Sequence, residues 1–169
     1  MINMPVELYS KIKIRRRSDK SNFADKVFHQ IGALCFMKLD GKPLILLITS
    51  RRSKRWIIPK GWKLDKLSNR KSAALEAWEE AGVQGRVFSR AIGSYYYRKR
   101  GFDDEFYTCS VSVFPIKVAK MKKNFPEKGE RKYKWVSPPK AVAMVTEPEL
   151  KTLIKKWAKK YQNKKTQAK

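Results

Sequence analysis

One stretch of the sequence decides the fold: GWKLDKLSNRKSAALEAWEEAGV, residues 61–83. Its second half predicts a helix over about residues 70–81. Ser68 or Asn69 can cap the start of this helix through a side-chain oxygen, and Gly82 favours the left-handed conformation in which helices commonly end. The stretch therefore predicts a loop that leads directly into a single, well-bounded helix.

Three glutamates share one face of the predicted helix: Glu76, Glu79 and Glu80. At about 100° per residue they span an arc of about 100°, and alanines with Trp78 fill the adjoining arc, which lets the helix lie close to a sheet. Like charges at this spacing repel each other by about 0.2–0.5 kcal/mol per pair. Two interpretations stay open here. The first is a solvated acidic face that pairs with nearby lysines, and the second is a site for Mg²⁺, which takes a few carboxylates and the oxygens of a phosphorylated substrate.

The charge of the chain points to a polyanionic partner. The sequence has 169 residues, which is the size of one domain, and 40 Lys and Arg against 15 Asp and Glu give a formal net charge of +25. Such an excess favours a nucleic acid, an anionic membrane surface or a highly phosphorylated small molecule. The longest apolar runs, 44–48 and 141–145, are far shorter than a bilayer-spanning helix, so no membrane span is expected. No secretory signal pattern is found at the N-terminus.

The cysteines and the histidine suggest no metal or redox centre. Cys35 and Cys109 fall in strand-like runs and are expected to be buried free thiols, which suits a reducing compartment such as the cytoplasm. With His29 as the single histidine, neither a structural zinc site nor a catalytic triad is expected.

Strands surround the predicted helix, which makes the fold class α+β. Asp40-Gly41 predicts a hairpin turn. Strands are predicted at 29–38, 43–49, 55–58, 87–97, 106–118 and 133–136. Two helices follow, one beginning at Pro138. The other carries an apolar stripe that is expected to dock on the chain's own sheet, formed by Leu150, Leu153, Ile154, Trp157 and Tyr161.

Basic segments flank the domain. We predict a basic arm at 1–27, one domain at 28–161 and a basic tail at 162–169. The oligomeric state is not predicted.

The stretch at 61–83 resembles the Nudix box, G-x5-E-x7-R-E-U-x-E-E-x-G-U, in which U is a bulky apolar residue. The residues in register are Gly61, Glu76, Glu79, Glu80, Gly82 and Val83. The flanking sequences, including GERKYKW at 129–135, resemble the bacterial relatives of the diphosphoinositol polyphosphate and dinucleoside polyphosphate hydrolases. The resemblance implies the Nudix fold, a mixed β-sheet sandwiched between helices, with the Nudix loop-helix-loop.

Two box positions depart from the pattern. Leu67 stands where the family has its first Glu, and Leu75 stands where it has an Arg; Ala77 is a conservative apolar change. In the family the Glu and the Arg form a structural ion pair. Losing one partner of a buried pair costs about 3–5 kcal/mol, whereas replacing both by apolar residues can be neutral or stabilising. We therefore expect the two leucines to replace the brace and the metal site to be kept.

The resemblance implies a hydrolase that needs Mg²⁺ or Mn²⁺ and cleaves a pyrophosphate bond in a nucleoside diphosphate linked to a group X. The implied metal ligands and catalytic groups are Glu76, Glu79 and Glu80, with the backbone carbonyl of Lys60 as a further ligand. The residues expected on the substrate side are Arg51, Arg52, Arg55, Lys63, Arg98, Arg131 and Lys132. The general base stays open between a box glutamate and Asp103, Asp104, Glu105 or Glu130.

Three functions remain to be separated. The first is hydrolysis of dinucleoside polyphosphates or similar polyphosphorylated small molecules. The second is removal of pyrophosphate from RNA 5′ ends, to which the basic arms would contribute electrostatically. The third is a nucleic-acid-binding module on a Nudix scaffold with weak catalysis. The high positive charge favours the last two, and the intact glutamate set argues against the third.

Overall fold

The computed structural model describes residues 27–64, 66–100 and 106–166. Nearly all of the predicted basic arm, and the candidate bases Asp103, Asp104 and Glu105, lie outside the described residues. None of the described helices is long and apolar enough to cross a membrane. Cys35 and Cys109 are buried free thiols, as predicted.

The described part of the chain forms eight strands and three helices. The strands are β1 (Val27–Leu39), β2 (Lys42–Thr49), β3 (Trp56–Ile57), β4 (Lys60–Trp62), β5 (Val83–Val87), β6 (Gly93–Arg100), β7 (Phe106–Met121) and β8 (Tyr133–Val136). The helices are α1 (Asn69–Ala81), α2 (Pro138–Met144) and α3 (Pro148–Thr166). The α+β class is confirmed.

All eight strands join one mixed sheet. Its main path is β3-β2-β1-β7-β5, while β4 pairs with β1, β6 with β7 and β8 with β2. The long β1 and β7 run parallel, and the other pairs are antiparallel. The predicted hairpin is confirmed, because Leu39 pairs with Lys42 around Asp40 and Gly41, whose φ angles of 48° and 75° suit a tight two-residue turn.

Helices cover both faces of the sheet, as predicted. On one face the alanines of α1 pack against aliphatic residues of β1 and β2. On the other face, the apolar stripe of α3 docks on the sheet beside α2. Phe36 lies 4.9 Å from Trp157 between ring centroids, and Tyr161 stacks on Trp157 at 5.1 Å. The sheet is therefore sandwiched, and the glutamate face of α1 is left at its edge.

One predicted strand is wrong. The segment 87–97 is not continuous, because β5 ends at Val87 and β6 begins at Gly93. Phe88 donates a backbone hydrogen bond to Pro115 and Ile92 donates one to Val113, so the chain leaves β7 and rejoins it. Gly93 has a φ of 141°, a conformation that side-chain-bearing residues rarely adopt. The three-residue β4, which pairs with β1, was not predicted from the sequence.

Candidate active site

A cleft of about 880 Å³ opens beside the glutamate face of α1. Its acidic lining residues are Glu76, Glu79, Glu80, Glu127 and Glu147. Its basic lining residues are Arg51, Arg52, Arg55, Lys60, Arg98, Lys99, Arg100 and Arg131. The cleft thus joins a carboxylate wall to a row of cations.

Local sequence signals position α1 as predicted. Ser68 accepts a hydrogen bond from the backbone N–H of Lys71, and Gly82 ends the helix with a φ of 66°. A Cβ at Gly82 would lie 2.6 Å from the ring of Phe125, so only glycine fits there. Ala73 and Ala77 are fully buried, which brings the helix close to the sheet and directs its glutamates into the cleft.

Glu80 is the most constrained of the three glutamates. It is only 6% exposed, one carboxylate oxygen accepts a 2.9 Å hydrogen bond from the backbone N–H of Lys60, and the other oxygen pairs with Arg131. Burial raises the pKa of Glu80 to about 7, although the charges of Arg131 and Lys60 act against that rise. The side chain is therefore held in one orientation by two donors.

Glu76 packs against the backbone of Gly61. A Cβ at Gly61 would overlap the Glu76 carboxylate, so glycine at this position lets the loop approach the helix. Burial raises the pKa of Glu76 to about 8, and the carboxylates of Glu80, Glu79 and Glu127 add to the rise. Burial followed by Glu127 also raises the pKa of Glu79. Burial and mutual repulsion therefore both disfavour the ionised form of Glu76 in the metal-free site.

A chain of ion pairs links α1 to the loop that precedes β8. Arg131 donates to Glu127 at 2.8 Å and to the backbone carbonyl of Thr49 at 3.0 Å. Glu127 also pairs with Arg51, whose Nε lies 2.8 Å from Glu130. Sequence reasoning missed Glu127, which is 7% exposed; its spacing of four residues before Arg131 was the available signal.

Two lysines of the cleft lie in a hydrogen-bonded and aromatic setting. Lys60 Nζ donates to the hydroxyl of Tyr97 at 2.8 Å, and Tyr97 donates to Gln30 at 2.7 Å. Burial lowers the pKa of Lys60 despite the opposing effect of the Glu80 charge. Lys99 Nζ lies 4.6 Å from the centroid of the Trp62 ring, and burial, followed by the charge of Lys60, lowers the pKa of Lys99 to about 8.

Gln30 lines the cleft and was not predicted from the sequence. The tyrosines of β6 alternate as predicted, with Tyr95 buried, Tyr96 exposed and Tyr97 half-buried.

The structure brings most of the predicted substrate-side residues together and leaves two outside. Those that line the cleft are Arg51, Arg52, Arg55, Arg98 and Arg131. Lys63 and Lys132 are exposed and are not among the cleft-lining residues. The backbone of Lys132 exchanges hydrogen bonds with Thr49, which fixes its place along β2. Of the alternative bases, Glu130 is exposed and paired with Arg51.

The two box departures are both half-buried. Leu75 lines the cleft, and Leu67 closes a short turn by donating its N–H to the carbonyl of Leu64. With leucine at both positions, Glu76 packs against Gly61.

Oxygen ligands dominate the cleft wall, as a hard cation requires. Within residues 27–64, 66–100 and 106–166, no three His, Cys, Asp or Glu side chains form a ready-made metal cluster; Glu80 instead faces Arg131 and the Lys60 amide. Mg²⁺ does not need such a cluster, because it binds through one or two carboxylates, waters and substrate phosphates. A divalent cation beside Glu76 would offset the repulsion between this carboxylate and those of Glu80, Glu79 and Glu127, so these residues fit Mg²⁺ or Mn²⁺.

Curated relatives of the chain carry Nudix names. The chain is 31% identical over 114 residues to Nudix hydrolase 16, mitochondrial, of Arabidopsis thaliana, a match that covers 65% of this chain and 62% of that protein. It is 26% identical over 124 residues to Nudix hydrolase 12, mitochondrial, of the same plant, covering 72% of this chain and 59% of the relative. The chain thus spans about six-tenths of the length of these relatives. No family model matches it.

Solved structures share the fold. The Ap4A hydrolase of C. elegans superposes with a TM-score of 0.57 at 18% identity, covering 79% of this chain and 97% of that one. The dihydroneopterin triphosphate pyrophosphohydrolase of E. coli superposes with a TM-score of 0.58 at 16% identity, covering 79% and 98%. The sequence motif, the sandwiched mixed sheet and these similarities agree: the chain has the fold of these Nudix structures and is similar in sequence to Nudix hydrolases.

Proposed function

We propose that this protein is a divalent-metal-dependent pyrophosphohydrolase of a nucleoside diphosphate linked to X, with dinucleoside polyphosphates as its substrates. One observation carries the proposal: Glu76, Glu79 and Glu80 face the same cleft as a row of arginines. Carboxylates suit a divalent cation, and arginines suit phosphate. The combination fits a substrate that carries several phosphates.

The carboxylate wall would hold the cation. Glu76, Glu79 and Glu80 are the proposed ligands, with the backbone carbonyl of Lys60 beside them. Mg²⁺ or Mn²⁺, when bound, supplies charge neutralisation at phosphate oxygens and makes water a better nucleophile. The ion pair with Arg131 and the hydrogen bond from Lys60 keep the Glu80 carboxylate oriented, and a box glutamate is the proposed base for the attacking water.

The exposed arginines of the cleft would bind the phosphate chain. Arg52, Arg55 and Arg98 are exposed at the cleft, so their planar guanidinium groups are available for bidentate contacts to phosphate oxygens. A bridge of four or five phosphates meets more of these side chains than a bridge of two. The name of the C. elegans structural neighbour, Ap4A hydrolase, supports this substrate class.

The test is a substrate screen with product analysis. The purified chain is incubated with dinucleoside polyphosphates, nucleoside diphosphate sugars and 5′-triphosphorylated RNA, in Mg²⁺, in Mn²⁺ and in excess EDTA. We expect metal-dependent cleavage within the phosphate bridge, fastest for dinucleoside polyphosphates. Cleavage of the RNA alone would transfer the proposal to RNA 5′ ends. Salt-sensitive RNA binding without any hydrolysis would contradict it.

A further inference from the structure

A second surface, away from the cleft, combines exposed cations with aromatic rings on the side of the sheet that α3 covers. Lys117 of β7 pairs with Phe36 of β1 on one side and with Arg86 of β5 on the other. Residues in register on neighbouring strands point to the same face of a sheet, and Phe36 packs against Trp157 of α3. Arg86 and Lys117 therefore project from the α3 face, and both are exposed.

Aromatic rings border these cations. Phe88 is 40% exposed, and its ring centroid lies 5.9 Å from that of Phe36 and 5.9 Å from Cζ of Arg86. Tyr161, which is partly exposed, lies 5.2 Å from the same Phe36 ring between centroids. Lys38 Nζ lies 5.7 Å from the centroid of the Tyr161 ring. Phe36 thus joins two rings that reach the surface, each with a cation beside it.

The charge of this surface, which we call the basic aromatic patch, is not balanced by acids. The patch consists of Lys38, Arg86, Phe88, Lys117 and Tyr161, and none of these residues lines the cleft. Strands β1, β5 and β7 contain no Asp or Glu, and no ion pair within the described ranges joins the three cations to a carboxylate. Like charges directly opposite each other on neighbouring strands destabilise a sheet. A bound polyanion would relieve the repulsion between Arg86 and Lys117.

The chemistry of the patch restricts the kind of polyanion. Exposed aromatic rings stack on unpaired bases, while neighbouring Lys and Arg side chains neutralise phosphates. A duplex keeps its bases paired and stacked, out of reach of such rings. A membrane surface fits less well, because Leu150 and Ile154 of the α3 apolar stripe are fully buried and have no access to lipid. A single-stranded nucleic acid matches both the cations and the rings.

We propose that the basic aromatic patch binds single-stranded nucleic acid, with its three cations on the phosphates and its two aromatic rings stacked on bases. This site goes beyond the proposed hydrolysis, because it lies outside the cleft and needs no metal. It holds a polymer without sequence preference, since every base has a face that can stack.

The test measures binding apart from hydrolysis. Fluorescence anisotropy follows a labelled oligouridylate of about 16 nucleotides with a 5′-hydroxyl end, titrated with the whole chain in EDTA at several salt concentrations. We expect binding whose logarithm falls linearly with the logarithm of the salt concentration. Binding of anionic phospholipid vesicles without binding of the oligonucleotide would overturn the inference, and this comparison needs no variant.

Two double variants with the same change in charge locate the site. Arg86→Gln with Lys117→Gln removes two cations of the patch. Lys132→Gln with Lys134→Gln removes two exposed cations at β8, on the opposite side of the sheet from β5, where Lys134 also lies beside an aromatic ring. The slope of the salt dependence should fall by about 0.7 for each patch cation removed and stay unchanged in the control. Equal falls in both double variants would mean that only the overall charge matters and would overturn the inference.

Phe88→Leu tests the stacking separately. This variant keeps an apolar side chain beside Phe36 but loses the aromatic face. The affinity for the oligonucleotide should therefore fall about tenfold, with an unchanged salt slope. An affinity equal to that of the unaltered protein would contradict the assignment of Phe88 as a stacking residue and, with it, the choice of a single strand as the ligand.

Discussion

Arg131 and Glu80 form an ion pair in which both side chains are almost buried, at 8% and 7% exposure. The same guanidinium also reaches Glu127 and the carbonyl of Thr49. One arginine thereby ties α1, the end of β2 and the loop before β8 together. A bound cation at Glu80 would have to coexist with this pair or displace it.

Breaking this pair on one side should destabilise the fold strongly. Arg131→Met leaves the buried Glu80 carboxylate without its guanidinium partner, and we expect a loss of about 3–5 kcal/mol in the free energy of unfolding. Arg131→Met combined with Glu80→Gln should lose clearly less than the sum of the two single changes. Urea denaturation of the four proteins measures the coupling. Additive losses would show that the two side chains do not stabilise each other.

Glu76 should make the metal-free protein less stable as the pH rises. Its folded pKa of about 8 lies above the ordinary value of 4.5, so between these pH values the folded state binds more protons than the unfolded state. Stability then falls with rising pH, by up to about 1.4 kcal/mol per pH unit for one proton. Thermal unfolding in EDTA from pH 5 to pH 8 tests this, and Glu76→Gln should flatten the decline.

Mg²⁺ should stabilise the protein more at high pH than at low pH. Metal binding requires ionised carboxylates, so the rise in Tm produced by Mg²⁺ should be larger at pH 8 than at pH 6. A Tm shift that is the same at both pH values would argue against Glu76 as a ligand.

The features that could be predicted from the sequence are those set by residues close together in the chain. Ser68 and Gly82 act on backbone groups within a few residues, so the bounds of α1 followed from turn chemistry alone. Glu127 and Glu147 reach the cleft only because β8 pairs with β2 and Val145 bridges to Trp56. The spacing of Glu127 from Arg131 indicates an ion pair, but no local pattern predicts the strand pairing that brings either glutamate to the cleft. The alternation of polar and apolar residues predicts a strand that continues through residues 88–92. It does not reveal that the strand is interrupted there and that β6 begins only at Gly93, where φ is 141°.

The two leucines of the box offer a test of the altered brace. Leu67→Glu and Leu75→Arg each place a single charge at a half-buried position, whereas the double change can restore the ion pair of the family. We expect each single variant to lower Tm and the double variant to recover part of the loss. A double-mutant cycle with no coupling would show that positions 67 and 75 do not contact each other.

The exposed arginines of the cleft should make hydrolysis depend on the length of the phosphate chain. Arg52→Glu reverses an exposed charge that lines the cleft, and it should lower kcat/KM more for a five-phosphate bridge than for a two-phosphate bridge. The matched control is Lys159→Glu on the exposed side of α3. Its charge lies outside the cleft and is screened over about 8–10 Å at physiological salt. An equal effect of both variants would mean that only the overall charge matters.

The most direct measurement of the central claim is Mg²⁺-dependent hydrolysis of a dinucleoside tetraphosphate by Glu79→Gln and Glu80→Gln, beside Glu149→Gln as the control. Each cleft variant removes a proposed metal-binding charge with little change in shape. We expect kcat to fall by at least about 100-fold for both, with the control unchanged and circular dichroism showing all three folded. Near wild-type turnover of either cleft variant at saturating Mg²⁺ would contradict the assignment of a metal-dependent active site to the glutamate face of α1.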